Sequence, residues 1–335
     1  MIISTQYENF RIVGDAILEI KRLSISPSFK SDDILKYTDM GSVYEIQYMK
    51  FRPDECPILP LPMQDGKKRY AIRKTGEIKD CIRHDTRADS YKSLKRSFKR
   101  LRELINTNVS NPFNCRWITL TYAENMTDPE RLYHDFEKFN KRFQYWLSKQ
   151  GFSPAQYIVV PEPQGRGAWH MHLIYIWDNK APYIANDQLA KLWRHGFVKI
   201  TALKDCDNVG AYLTAYLTDL EVNASPDYSS KDIKFIESNG TKKAILKGGR
   251  LSMYPAGMRL FRCSRGIKKP VVKYLDRVDA EGLCSTYPVQ YESCFEIKSD
   301  DYYNIVHTRQ YNRNRWFTLD QVDDECPFVE NVQDE

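Results

Sequence analysis

Apolar side chains recur every three or four residues in four stretches of the chain, and this period predicts amphipathic helices. The first predicted helix runs from Arg87 to Asn108, with apolar positions at Tyr91, Leu94, Phe98, Leu101 and Ile105. The second begins at Asp128-Pro129, a capping residue and a first-turn proline, and ends at Gly151. Its apolar stripe is Leu132, Phe136, Phe139, Phe143 and Leu147. Two shorter helices are predicted over residues 186–195, ending at Gly196, and over residues 208–220.

Short runs of β-branched and aromatic residues predict strands between these helices. The runs cover residues 117–122, 157–162, 169–177 and 197–203. The second and third runs flank Pro163-Gln164-Gly165-Arg166-Gly167, whose composition is typical of a turn, so they predict a hairpin. The resulting order, β-α-β-β-α-β with one more helix, predicts an α+β fold. Its centre is expected to be an antiparallel sheet of ferredoxin-like, split β-α-β topology.

The rhythm of strands and helices is confined to residues 113–222, which predicts a domain there. Residues 1–112 form a mixed N-terminal region that ends in the first amphipathic helix. Residues 223–317 form a basic C-terminal region, and its polar segment Ser225 to Gly249 predicts a linker or an excursion. Residues 318–335 have too few apolar side chains to offset chain entropy, so this tail is predicted to be disordered.

The charge of the chain is unevenly distributed. Its formal net charge is +6, but the tail from Thr318 holds seven acids and no base, so the preceding residues carry +13. Such a body suits a polyanionic partner, although charge also serves solubility alone. No long apolar run predicts a membrane span, and Met1-Ile2-Ile3-Ser4 has no secretory character, so we expect a cytoplasmic protein. Eight cysteines without a Cys-x-x-Cys pair favour reduced thiols over a zinc ribbon.

Two basic segments are candidates for contact with nucleic acid. One is the polar side of the first predicted helix, and the other spans Lys247 to Lys269, where Tyr254 and Phe261 stand among bases. Bases suit phosphates and aromatic rings suit base stacking, but a solvated surface would look the same in sequence. The candidate residues are Lys95, Arg96, Lys99, Arg100, Arg166, Arg259, Arg262, Arg265, Lys268 and Lys269.

His170 and His172 are candidate metal ligands. Residues two apart on a strand point to the same face, and neutral imidazole is the commonest side-chain ligand. The predicted hairpin folds Glu162 back beside His170, so a carboxylate and two imidazoles converge. This donor set can hold Mg²⁺ or Mn²⁺, which polarises a phosphate. Alternatively, both histidines are structural and satisfied by hydrogen bonds near a core strand.

Tyr212 and Tyr216 are candidate nucleophiles. A helix places side chains four residues apart on one side, at the edge of the apolar stripe of Val209, Leu213, Leu217 and Leu220. A tyrosine can form a covalent intermediate once its proton is removed or its anion is stabilised. Alternatively, both are rim residues of an amphipathic helix, a common position for tyrosine.

These motifs together resemble those of the HUH (His-hydrophobic-His) endonucleases, and specifically the rolling-circle replication initiators of plasmids or phages. Trp117-Ile118-Thr119-Leu120-Thr121-Tyr122 resembles the first motif of that family, Glu162 with His170 and His172 the metal motif, and Tyr212 with Tyr216 the two-tyrosine helix. The preceding basic helix and Arg250 to Pro270 are also similar to such proteins. The resemblance covers roughly residues 87–270.

The resemblance implies that Tyr212 or Tyr216 attacks single-stranded origin DNA with the help of Mg²⁺ or Mn²⁺, giving a 5′-phosphotyrosine and a free 3′-OH, and that the strands are later rejoined. It also implies a bacterial host cell, a helicase and a polymerase of that host as partners, and no small-molecule cofactor. One departure is that many relatives carry lysines where Ala215 and Asp219 stand here. Alternatives are a relaxase or transposase of the same class, a non-catalytic nucleic-acid-binding protein, or an RNA-binding module.

Overall fold

The computed structural model shows an α+β protein whose strand pairs are all antiparallel in the part of the chain that it describes. That part comprises residues 10–13, 16–24, 30–50, 58–80, 91–164, 167–201, 203, 208–218, 220–222, 233–238, 241–246, 253–255, 258–299 and 302–314. None of the helices in these residues is long and apolar enough to cross a membrane. The chain divides into two compact units, Met1–Arg83 with Pro270–Trp316, and His84–Lys269 with Phe317–Glu335.

The first unit consists mainly of strands in its described residues. Its elements are β1 (Phe10–Val13), β2 (Ala16–Leu23), β3 (Ile34–Asp39), β4 (Val43–Met49), β5 (Ile58–Pro60), β6 (Arg69–Ile72), β7 (Ile78–Asp80), β16 (Val271–Asp276), α5 (Arg277–Gly282), β17 (Val289–Ser299) and β18 (Tyr302–Asn312). They form a seven-stranded sheet of order β1-β2-β17-β18-β4-β3-β16 and a separate sheet of order β5-β6-β7. Tyr37, Ile46 and Tyr311 from the larger sheet pack with Ala280 and Cys284 to form the core.

The second unit combines helices and strands. Its elements are α1 (Tyr91–Asn108), β8 (Cys115–Thr121), α2 (Pro129–Lys149), β9 (Gln156–Pro163), β10 (Trp169–Ile176), α3 (Asn186–Trp193), β11 (Val198–Thr201), α4 (Val209–Thr218), β12 (Leu220–Val222), β13 (Ile233–Ser238), β14 (Thr241–Leu246) and β15 (Arg262–Cys263). They form a five-stranded sheet of order β11-β8-β10-β9-β15 and a small sheet of order β12-β14-β13. The predicted hairpin is confirmed as β9 and β10, which pair from Gln156 to Pro163.

Helix α2 covers one face of the five-stranded sheet. Its predicted apolar stripe is buried, and Asp128 caps its first turn by accepting from the backbone N–H of Glu130. Phe136 packs edge-on against Tyr157, and the ring centroids of Phe143 and Tyr175 are 4.7 Å apart. Tyr157 and Tyr175 are paired across β9 and β10, so α2 lies on the sheet face that carries them.

Several predicted boundaries are wrong in the described residues. The short helix ends at Trp193 and not at His195. Arg194 adopts the left-handed conformation that ends a helix, with a φ of 69°, so the helix ends before it reaches Gly196. The tyrosine helix ends at Thr218, since Leu220 opens β12 and pairs with β14. The segment predicted to be a linker or an excursion contains the β13–β14 hairpin, so it is not a simple linker.

Other sequence-based predictions stay untested. The start of the first helix at residues 87–90 and the acidic tail 318–335 lie outside the described residues. The domain boundaries expected at residues 112, 222 and 317 also remain predictions.

Candidate active site

The register of three central strands places Glu162, His170 and His172 on one face of the five-stranded sheet. His170 is paired with Glu162 on one side and with Thr121 on the other, and His172 with Val160 and Thr119. Because side chains alternate along a strand, these rows lie on the face opposite to Tyr175 and α2. We call this face, defined by Thr119, Thr121, Glu162, His170 and His172, the histidine face.

His172 is fixed by contacts on both ring nitrogens. Its Nε2 contacts the Oε2 atom of Glu162, and its Nδ1 lies 3.1 Å from the hydroxyl oxygen of Thr119. The imidazole also stacks on Trp117, with ring centroids 4.9 Å apart and an angle of 9° between the planes. His172 and Glu162 are only 1% and 4% exposed, so an imidazole and a carboxylate meet in an interior position.

Burial sets the charge of this histidine. Desolvation lowers the pKa of His172 to about 3, so its imidazole is neutral at physiological pH. A neutral imidazole keeps a lone pair for hydrogen bonding or for a metal ion.

His170 is half-buried beside this pair. It belongs to the same row as Glu162, but the structure does not gather all three predicted ligands into one set. Among the residues that the structure describes, no group of three or more histidine, cysteine, aspartate or glutamate side chains is placed to hold a metal ion. Of the three predicted ligands, Glu162 and His172 are in side-chain contact.

Helix α4, which carries the two tyrosines, is packed closely on α1. Gly210 lies so near α1 that a Cβ atom there would come within 2.6 Å of the carbonyl oxygen of Arg102. Its N–H donates to the buried side chain of Asn106, and Asn208 accepts from the N–H of Ala211 at the start of the helix. Together these contacts satisfy two amide groups of the first turn that have no partner within the helix.

The two tyrosines are described to different extents. Tyr212 is half-buried and packs against the hydrophobic core of this unit. Tyr216 lies four residues further along α4, and its side chain is outside the described residues.

The predicted DNA-binding residues are spread over several elements. Arg96 and Arg100 are exposed on α1, and Lys99 pairs with Glu103, with 3.8 Å between Nζ and Oε1. The side chain of Lys95 and the whole of Arg166 lie outside the described residues. The remaining ones, all exposed, are Arg259, Arg262, Arg265, Lys268 and Lys269.

Hydrogen bonds fix the segment that carries these last residues. Asn108, the last residue of α1, accepts from the backbone N–H of Lys268 and donates to its carbonyl. The hydroxyl of Tyr133 donates to the carbonyl of Arg259, and the guanidinium of Arg262 lies 3.6 Å from the centroid of the same ring. The C-terminal end of α1 and the Arg259–Lys269 segment are thus held together.

Trp117 and Thr119 hold His172, a role that sequence reasoning missed. A signal is present in the alternation of β8, because Trp117, Thr119 and Thr121 are two residues apart. That alternation does not show which strand lies beside the histidines. The close packing of Gly210 leaves no signal in the helical periodicity.

Part of the chain is similar to a known protein family. Residues 115–221 match the model of the family described as replication-associated protein ORF2. This segment runs from β8 to β12 and includes the Glu162–His172 pair and α4. The match covers roughly a third of the chain and is consistent with the resemblance to rolling-circle replication initiators. No curated protein and no solved structure matches the chain.

Proposed function

We propose that this protein initiates rolling-circle replication by nicking single-stranded origin DNA and later rejoining it. Tyr212 or Tyr216 is the nucleophile in this proposal. The observation that carries it is the position of Glu162 opposite His170 and in contact with His172, on a hairpin inside the segment that matches a replication-associated family. Tyr212 and Tyr216 lie on α4, in the same compact unit and inside the same family match as this hairpin.

The strand order supports the family's fold as part of this proposal. Numbered along the chain, β8, β9, β10 and β11 are the first, second, third and fourth strands of this core. Their order across the sheet is fourth, first, third, second, that is β11-β8-β10-β9. Helices α2 and α3 connect the first to the second and the third to the fourth strand. This arrangement is the one expected for a ferredoxin-like HUH core.

The chemistry of these donors suits a divalent cation. Glu162 offers carboxylate oxygens, and His172 is held neutral by burial, the state that metal ligation requires. Glu162, His170 and His172 would hold Mg²⁺ or Mn²⁺, and such an ion stabilises negative charge on a phosphate. Thr119 would fix the imidazole of His172 through its second ring nitrogen.

The proposed reaction is a transesterification. The phenol oxygen of Tyr212 or Tyr216 forms a bond to phosphorus, and the bond from phosphorus to the 3′ oxygen of the preceding nucleotide breaks. The phenol loses its proton, and the 3′ oxygen leaves with a proton as a free hydroxyl. The number of phosphodiester bonds is unchanged, so the released 3′-OH can attack the phosphotyrosine and restore the DNA strand.

Attachment of DNA to the protein tests the proposal. The full chain would be incubated with Mn²⁺ and overlapping single-stranded oligonucleotides from the replicon that encodes it, and adducts would be resolved on denaturing gels. We expect a covalent adduct whose DNA-linked peptide contains Tyr212 or Tyr216 by mass spectrometry. Replacing both tyrosines by phenylalanine should abolish the adduct and leave DNA binding nearly intact.

The control for these variants is Tyr183→Phe, because Tyr183 is 86% exposed and lies before α3. Its adduct yield should equal that of the wild type. A double phenylalanine variant that still becomes attached to DNA would show that the nucleophile is another residue. Binding without any adduct in the wild type would favour the non-catalytic alternative. We also propose that the protein acts in the cytoplasm of a bacterial host, with a helicase and a polymerase of that host as partners.

A further inference from the structure

The row of residues that holds Glu162 and His170 continues to the edge of the sheet. Strand β11 pairs with β8 with Val198 opposite Leu120, and the N–H of Thr121 donates to the carbonyl of Phe197 at 2.9 Å. Phe197 therefore stands opposite Thr121, one residue before β11. Because side chains alternate, Phe197 belongs to the histidine face, as does Lys199, which is opposite Thr119.

Exposure changes steadily along this row. Phe197 is 71% exposed, Thr121 and His170 are half-buried, and Glu162 is 4% exposed. Solvent exposure also falls along the neighbouring row, where Lys199 is exposed, Thr119 is half-buried and His172 is buried. The histidine face is thus open to solvent at its β11 edge and covered towards β9.

The backbone around Phe197 is held firmly. Gly196 has a φ of 150°, and a Cβ atom there would lie 2.4 Å from the backbone nitrogen of Ala123. That nitrogen donates to the carbonyl of His195, and the indole N–H of Trp193 donates to the carbonyl of Thr121. A fixed backbone presents an exposed ring in one place, which lowers the entropy lost when a ligand stacks on it.

The charged side chains near this ring favour a polyanion. From Trp193 to Lys199 the ionisable residues are Arg194, His195 and Lys199. The Nε2 atom of His195 lies 3.7 Å from Oδ1 of Asp135, so the exposed side chains of Arg194 and Lys199 carry the positive charge of this segment. A large exposed aromatic ring next to a lysine combines a stacking surface for a base with a partner for a phosphate. Two strand spacings, about 10 Å, separate this edge from the strand of His170.

We propose that Phe197 and Lys199 form a subsite for single-stranded DNA, in which Phe197 stacks on one base and Lys199 pairs with an adjoining phosphate. The subsite holds the strand at the β11 edge so that it runs across Thr121 and Thr119 towards Glu162, His170 and His172. The proposal rests on the proposed function, since it takes that site as the destination of the strand.

Fluorescence anisotropy with a short fluorescein-labelled single-stranded DNA of mixed sequence tests the subsite in the full chain. Phe197→Ala should raise the Kd about tenfold, and Phe197→Trp should restore it, because every base can stack on an aromatic ring. Lys199→Gln should lower the slope of log Kd against log salt by about 0.7, the contribution of one phosphate on a single strand. The control is Tyr145→Ala, since Tyr145 is 65% exposed on α2 over the other face of the sheet, and its Kd should not change.

The outcomes separate this proposal from the proposed function. An unchanged Kd in Phe197→Ala, or an equal loss in Tyr145→Ala, would overturn the subsite even if the wild type forms a covalent adduct. A tenfold loss that tryptophan restores would support the subsite even if no adduct forms, in which case only the nicking proposal fails. A Phe197→Ala variant that weakens binding of an RNA strand of the same sequence but not of DNA would also overturn it.

Discussion

At the scale of single residues, the candidate site is defined by how firmly one imidazole is held. His172 has Glu162 at one ring nitrogen, Thr119 at the other and Trp117 against its plane. A ring held on three sides cannot turn away from the carboxylate. His170 lies in the row of Glu162 and is half-buried, so it is the ligand candidate whose replacement disturbs the interior least.

Binding of Mn²⁺ is the prediction that belongs to this scale. An ion that binds only the folded state at a hundred times its Kd stabilises that state by about 2.7 kcal/mol. We therefore expect saturating Mn²⁺ to raise the Tm of the wild type, and EDTA to reverse the rise. His170→Ala should abolish this shift, because it removes one of the three donors.

The control for the Mn²⁺ experiment is His134→Ala, since His134 is exposed on α2 over the opposite face of the sheet. Its Tm should rise with Mn²⁺ as much as that of the wild type. An equal rise in His170→Ala would place the ion elsewhere, and calorimetric titration with Mn²⁺ would give the number of sites directly. This readout does not depend on DNA cleavage.

At the scale of secondary structure, sequence predicts the elements with local signals and misses those set by distant contacts. The aspartate cap, the proline and the apolar stripe of α2 all act within one helix, and that helix is confirmed. The β9–β10 hairpin is confirmed for the same reason, because its turn is local. The spacing of Leu220 continues the stripe of the tyrosine helix, whereas pairing with β14 decides its structure.

The β13–β14 hairpin carries a local signal that its composition hides. Strand β13 contains Ile233, Phe235 and Ile236, and Asn239-Gly240 separates its last residue from Thr241. Asn-Gly between two short strands is a strong sequence signal for a two-residue hairpin. The high content of lysine and serine around it favours a linker instead, so average polarity is a poorer guide here than the dipeptide.

The packing of α4 on α1 gives a prediction at this scale. An alanine at Gly210 would press against the backbone of Arg102, which cannot move without separating the two helices. We expect Gly210→Ala to lower the free energy of unfolding by about 1–3 kcal/mol, the usual cost of overpacking. It should also reduce the adduct yield, because α4 carries the proposed nucleophiles.

Gly282 at the end of α5 provides the matched control. A Cβ atom there would meet nothing within 4 Å, so Gly282→Ala should leave the stability unchanged or raise it by up to about 1 kcal/mol. Urea unfolding followed by circular dichroism measures both variants. If Gly210→Ala is as stable as Gly282→Ala, the close approach of the two helices is not needed for the fold.

At the scale of the whole molecule, the chain is organised by pairings between distant segments. Strand β18 pairs with β4, and β16 pairs with β3, so residues near both ends share the seven-stranded sheet. No local pattern encodes such partners, because side-chain alternation shows which face is buried and not which strand lies alongside. The sequence therefore indicates the α+β class and the central hairpin, but not this sheet.

Charge acts at the same scale and gives the last prediction. The chain without its acidic tail carries +13, and Arg265, Lys268 and Lys269 are exposed on a segment fixed to α1 by Asn108. If each pairs with one phosphate, replacing all three with glutamine should lower the slope of log Kd against log salt by about 2, since each contact on a single strand contributes about 0.7. Anisotropy titrations with single-stranded DNA over a range of salt concentrations give this slope.

Replacing the exposed pair Arg73 and Lys74 of the first unit with glutamine is the control for this prediction. It removes two positive charges from a turn between β6 and β7 that lies outside the family match. A slope that falls equally per charge in both variants would mean that DNA responds to the net charge of the whole chain. A slope that falls only in the triple variant would assign the phosphate contacts to the Arg265–Lys269 segment, because the number of contacts, and not the total charge, determines how many counterions are released.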